Sequence, residues 1–309
     1  MDYFLITLSA VCVAAQFTFN KLYQKNIVKS TGELLLFPLI TGVIATLLFL
    51  CLNGFAVAYS SFSVILAAAE ALILFLSMLC GIFVVKWGRV SVYTVFMMLG
   101  GMFLPYLYGV IFLNEAIGVF EIVGMIVLIA GLFLSVIPDK NEKTEKPKPI
   151  FYVFCVAIFC LNGGVSIVSK VHQIGAEAVP TQDFMIWLYA FQLALALLCF
   201  LVYLLFFRKK NAAASNAEGE STAGFALSKR ILLLALGIGA GYALVSGAGY
   251  LLQLNAAKTL PATMLYPFIT GGSILFSTFA ARIFFKEKIN LYTWISLALM
   301  LCGTILFIF

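Results

Sequence analysis

The sequence predicts an all-α integral membrane protein: ten transmembrane helices arranged as two inverted five-helix repeats. Three observations carry that expectation. Of 309 residues, 63% are apolar and only 10% charged. The basic residues sort to one side of the apolar segments, and the second half of the chain echoes the first at a fixed offset.

Soluble domains sit nearer one half apolar and one quarter charged. A spanning helix needs about 20 apolar residues, so a chain of this length holds roughly ten short-looped spans and no water-soluble catalytic domain. Apolar stretches broken by charge, Gly, Pro or Asn fall at about 3–20, 33–52, 62–85, 90–113, 119–137, 150–169, 184–207, 230–253, 260–285 and 290–309. They are expected to be helices, because hydrocarbon offers no water to backbone polar groups and the alternating pattern of a barrel is missing. Phe4 to Ala15 lacks the basic flank and cleavage site of an export signal and is expected to be a retained first span. Two segments read as flexible connectors: Pro138 to Pro149, and Arg208 to Arg230 with its Ala/Ser/Asn/Glu-rich centre. The seven cysteines all lie in apolar runs without a CxxC pair, which points to packing rather than disulfides or metal.

The formal charge of +6 would in a soluble protein raise the question of nucleic acid. Here all nineteen Lys and Arg except Lys170 and Lys258 fall in the loops joining spans 1–2, 3–4, 5–6, 7–8 and 9–10. The positive-inside rule places those loops in the cytoplasm and both termini outside, in the cell (cytoplasmic) membrane. The charge is thus a topology signal, and no nucleic acid partner is expected.

Sliding the chain by 172 residues pairs spans 3–5 with spans 8–10 without a gap: Lys86 meets Lys258, Phe96 meets Phe268, Gly100 meets Gly272, Glu115 meets Glu287 and Gly131 meets Gly303. A shift of 149 lays Lys21 and Gln24 on Lys170 and Gln173. Charged and glycine positions rarely coincide by chance in such a chain, so the reading is a repeat of 1–137 and 150–309 around a linker at 138–149. Five spans per copy forces the copies upside down relative to each other, the plan of secondary transporters with a midplane site.

A Glu just after the fourth span of each half (Phe112-Leu-Asn-Glu115 and Phe284-Phe-Lys-Glu287) and a Gly late in the fifth (Gly131, Gly303) resemble the drug/metabolite transporter superfamily, in particular its EamA-like members. The resemblance covers essentially the whole chain and implies a permease working by alternating access. It implies a central cavity lined by spans 1, 3, 4 and 6, 8, 9, with spans 5 and 10 as a structural seam. The related four-span multidrug exporters carry an essential Glu in their first span; span 1 here has no acid, so their proton-for-drug mechanism does not carry over residue by residue.

Polar side chains inside spans mark candidate cavity positions. Span 1 offers Ser9, Gln16 and Asn20; span 6 offers Asn162, Ser166, Ser169 and Gln173. Span 4 aligns Thr94, Met98, Gly101 and Pro105, which the 172 offset sends to Tyr266, Thr270, Ser273 and Ser277 on span 9. Each stripe has a second reading, a hydrogen bond between helices. Glu70, mid-span in helix 3 with Tyr242 as its repeat mate, is either a protonatable cavity group for proton coupling or amine binding, or a protonated acid bonded to a neighbouring helix. Glu115 and Glu287 read as structural caps on the N–H groups opening spans 5 and 10, and Glu121 likewise. His172, the only histidine, reads as a surface residue near an outer loop. The Gly–Pro combinations Gly100, Gly101, Pro105 and Pro267, Gly271, Gly272 suggest gating kinks.

An intramembrane enzyme would need a nucleophile with its base, paired aspartates or a metal set, and the residues offer none of these. No GxxxxGK[ST] occurs, so uphill transport would draw on an ion or solute gradient. The expectation is a transporter of a small metabolite, amino acid-like compound or drug, working by export and with protons as a coupling partner, without cofactor or metal. A lipid-carrier flippase of the same fold is the alternative. Both repeats reside in one chain, so a monomer suffices in principle.

Overall fold

The computed structural model describes residues 2–84, 87–137, 147–207, 229–286 and 290–308. Among them are ten α-helices and no strand: α1 Asp2–Asn26, α2 Thr31–Leu52, α3 Ser61–Val84, α4 Val90–Phe112, α5 Val119–Ser135, α6 Pro149–Ile174, α7 Thr181–Val202, α8 Lys229–Ala256, α9 Ala262–Phe285 and α10 Leu291–Leu306. A π-helical turn, Tyr203–Phe207, prolongs α7. Eight of these helices are long and apolar enough to cross a membrane. The other two, α5 and α10, are apolar but only 17 and 16 residues long. Most of both connectors, at 138–146 and 208–228, lies outside the described residues.

Local sequence sets the ends. Ser30 and Glu33 form a reciprocal capping box that opens α2. Glu121 accepts from the Gly118 N–H at 3.0 Å and fixes the start of α5. Asn290 accepts from the Thr293 N–H at 2.8 Å and opens α10. After α4 and after α9 the chain turns through a non-glycine residue in the left-handed region: Asn114 at φ 53° and Lys286 at φ 55°. These two residues stand 172 apart. α4 and α9 continue as helices through Pro105 and Pro267.

Helix pairing is close and specific. α4 packs on α6 and α9, α1 on α8 and α9, α3 on α6 and α7, α2 on α7 and α8, and α5 on α10. Glycine permits several of these approaches: a Cβ on Gly100 of α4 would collide with the Phe159 carbonyl of α6. In the α5–α10 pair, a Cβ on Gly124 would meet the Gly303 carbonyl at 3.1 Å and a Cβ on Gly303 would meet the Gly124 carbonyl at 3.1 Å. One apolar cluster joins α1, α4, α5, α9 and α10 around Met102, Leu128, Leu265 and Met300. A second joins α2, α3, α7 and α8 around Phe49, Ala67, Phe184 and Leu254. The outside is lined by exposed apolar side chains such as Phe112, Ile126, Leu198, Leu233 and Ile283, a surface suited to lipid rather than water.

Candidate functional site

One cluster of buried polar groups lies where α3, α6 and α8 meet. Glu70 projects from α3 between Ala67 and Ala71, and all three are 0% exposed. Tyr250 of α8 donates a short hydrogen bond to the Glu70 carboxylate, and Ser169 of α6 approaches its other oxygen at 3.5 Å. Ser169 and Tyr250 are themselves 2.6 Å apart, and Ser169 also reaches the Val165 carbonyl at 2.8 Å. Glu70 forms no ion pair among the described residues. Its partners are hydroxyls, which donate or accept as the proton count requires, so the cluster is complete whether the carboxyl is ionised or protonated.

A second pair sits across the bundle. Gln16 of α1 donates to the Tyr242 hydroxyl of α8 at 3.0 Å, and Phe37 of α2 packs edge-on against the Tyr242 ring at 4.8 Å. Two hydroxyls of α9, those of Tyr266 and Thr263, are buried with no hydrogen-bond partner among the described residues. An unpaired buried hydroxyl costs about 1–3 kcal/mol, so these are the points where an incoming polar group gains most.

Asn162 donates to the Met97 carbonyl at 2.7 Å and Ser166 to the Gly101 carbonyl at 3.1 Å, so both bond α6 to α4. Asn20 accepts from Gln24 on its own helix at 3.1 Å. Thr94 and Thr270 are half-buried on α4 and α9, and Met98 packs against the first apolar cluster.

Three readings of the sequence change. Glu115 caps α9, not α5: its carboxylate accepts from the Ala262 and Thr263 N–H groups at 2.8 and 2.9 Å. The left-handed turn at Asn114 directs it there, and α9, preceded by Pro261, has no side-chain cap of its own. Glu287 lies outside the described residues. His172 is not a surface residue; it is 0% exposed, because α6 runs on to Ile174 and carries His172 on the face that packs into the bundle. Its ring stacks on Phe184 at 3.8 Å, meets Ser63 at 3.0 Å through Nε2, and accepts from Gln173 through Nδ1 at 2.9 Å. Lys170, also expected at a loop, is 5% exposed and donates to the Ala257 and Leu260 carbonyls at 2.9 and 2.7 Å.

Sequence reasoning missed Tyr250. It stands in the glycine-rich stretch of α8, 180 positions from Glu70, and its aromatic ring in an apolar run carried no signal of its own.

No family model matches the chain. Over 79 residues it is 34% identical to the probable 4-amino-4-deoxy-L-arabinose-phosphoundecaprenol flippase subunit ArnE of Hamiltonella defensa subsp. Acyrthosiphon pisum (strain 5AT), a stretch that makes up 26% of this chain and 68% of that protein. The chain belongs to the ArnE family. A crystal structure of a protein of unstated function shares the fold of this ArnE-family chain, with a TM-score of 0.71 at 15% identity over 98% of this chain and 96% of the other. The 79 residues are most of ArnE and about a quarter of the present chain, so that relative is less than half as long.

Proposed function

We propose that the chain is a multi-pass transporter of the cytoplasmic membrane, an EamA-like member of the drug/metabolite transporter superfamily working by alternating access. It consists of two inverted five-helix repeats, 1–137 and 150–309. Three observations support the repeat. Exchanging helix n for helix n+5 maps α4–α6 onto α9–α1, α3–α6 onto α8–α1 and α3–α7 onto α8–α2, and all of these pairs pack. It also maps α5–α10, α2–α7 and α4–α9 each onto itself. The left-handed turns at Asn114 and Lys286 occupy matching positions, and a relative less than half as long matches part of the chain.

The observation that carries the functional reading is Glu70: a fully buried carboxyl held by two hydroxyls, with no ion-pair partner among the described residues. An acid so deep in a membrane protein marks a substrate or ion pathway. The cargo proposed is a small metabolite, amino acid-like compound or drug bearing an amine, exported with the lysine-rich loops and the linker on the cytoplasmic side. Glu70 alternates between the amine and a proton. Gln16, Tyr242, Tyr266 and Thr270 contribute the remaining polar surface.

A second reading has a specific observation behind it. The relative's printed name is that of a subunit flipping a phosphoundecaprenol-linked amino sugar. A lipid-carried amine would meet the same carboxyl, with its tail left between helices. Proteoliposomes tested against a metabolite panel, with and without a pH gradient, decide whether soluble amines move. Parallel vesicles carrying a labelled polyprenyl-phosphate amino sugar test flipping. Glu70→Gln, confirmed folded by its elution profile, is expected to lose flux and its pH dependence; wild-type flux in that variant would sink the role given to Glu70.

A further inference from the structure

The start of α9 gathers polar groups that the helix itself does not use. Thr263 and Tyr266 stand about one turn apart on α9, 0% and 3% exposed, and neither hydroxyl has a hydrogen-bond partner among the described residues. Gly109 of α4 leaves room beside them: a Cβ there would come within 3.2 Å of the Thr263 methyl and collide with the Glu115 carboxylate. Tyr266 lies within electrostatic reach of Glu70 and of Glu115, and Tyr250 of the Glu70 cluster lies within reach of Tyr266. The charges nearby are already matched. Lys170 of α6, 5% exposed, interacts with Glu115 and donates to the Ala257 and Leu260 carbonyls just before α9. Glu115 is further held by the Ala262 and Thr263 N–H groups. Glu70, with hydroxyl partners and no ion pair among the described residues, is the acid left for a cargo cation.

We propose that Tyr266 and Thr263 form a subsite for an uncharged oxygen acceptor of the cargo, so that the protein selects an amine carrying a neutral carbonyl or hydroxyl group and rejects one carrying a free carboxylate. The inference rests on the amine reading of Glu70 and narrows its cargo class. Each hydroxyl bears a proton that a ligand made of donors alone leaves unpaired, and only an acceptor oxygen satisfies it. An ammonium group against Glu70 and Lys170 beside Glu115 bring the charges of the site into balance. A carboxylate set against Tyr266 would add a negative charge with no counter-ion, near two acids and away from water, which burial penalises strongly. A neutral oxygen makes the same hydrogen bonds without that penalty.

Leucinamide, isoamylamine and leucine share one skeleton and present, beside the amine, a neutral carbonyl, no polar group and a carboxylate. Each is titrated into the purified full chain at a pH where the amines are charged, and its affinity is read from the shift in melting temperature. Leucinamide is expected to bind about tenfold more tightly than isoamylamine, because it alone of the two pairs the buried hydroxyls, and leucine more weakly than either. Tyr266→Phe and Thr263→Val keep the side-chain shapes and remove the hydroxyls one at a time. Each is expected to shrink the preference for leucinamide, and the double variant to bring it close to one. Without ligand, both variants are expected to melt no lower than the wild type, since an unpaired buried hydroxyl costs stability rather than adding it. A lower melting temperature would show that the hydroxyls already have partners in the protein, and overturns the subsite. So does a preference that survives in the double variant, or leucine binding as tightly as leucinamide. A wild-type response to both amines alike overturns the subsite alone, whereas no response to either overturns the reading of Glu70 and the subsite with it.

Discussion

Glu70 and Glu115 are both acids among apolar helices, and their partners are opposites. Glu115 receives two peptide N–H groups at the start of α9, donors that cannot reverse and a helix dipole that favours negative charge. Glu70 receives two hydroxyls, which can turn round when a proton arrives. The first set of partners can only donate; the second can donate or accept. A carboxylate bonded by backbone is part of the scaffold, and a carboxylate bonded by side-chain hydroxyls is available for chemistry.

Substitutions can break that contrast in a graded way. The largest effect is expected on function: Glu70→Gln should reduce gradient-driven flux by about tenfold or more, with little change in melting temperature, because the amide keeps the shape and the hydroxyl partners. Next comes the polar cluster around His172. His172→Leu removes the ring that serves both Ser63 and Gln173, and should cost about 2–3 kcal/mol of stability in a detergent-denaturation series. Glu115→Ala exposes the opening turn of α9 and should cost about 1–2 kcal/mol, with Glu115→Gln recovering part of it through its remaining acceptor oxygen. The smallest is Ser169→Ala, about 0.6 kcal/mol in stability, the usual size of a hydrogen bond between membrane helices. That variant sharpens the comparison if the pH dependence of flux moves while stability hardly does. A flux defect in Glu115→Gln as deep as that in Glu70→Gln would erase the distinction between the two acids.

The number and positions of the helices were legible because they follow from a bulk property, apolar run length. α5 and α10 came out shorter than the other helices because they end at Ser135 and Leu306, before the apolar runs that encode them do. Glu70 was legible as a misfit, a lone acid in an apolar span. Its surroundings were not, because Tyr250 reaches it only through tertiary packing. Glu115 was legible as a cap but attached to the wrong helix: nearness in sequence favoured α5, while one left-handed residue at Asn114 sends the carboxylate to α9. His172 and Lys170 were misplaced for a single reason. The apolar pattern stops at about residue 169, whereas the helix runs five residues further and its polar end is packed inside the bundle.

The short α5–α10 pair has a consequence for the surrounding lipid. Helices of 17 and 16 residues rise about 24–26 Å, several ångströms less than a typical hydrocarbon layer of about 30 Å. In the proposed ten-span arrangement, lipid against that flank would thin or flanking residues would snorkel, at a cost of fractions of a kcal/mol per ångström. On that arrangement lipid tail length becomes a control on the protein's energetics, with shorter-chain bilayers expected to fit that side best.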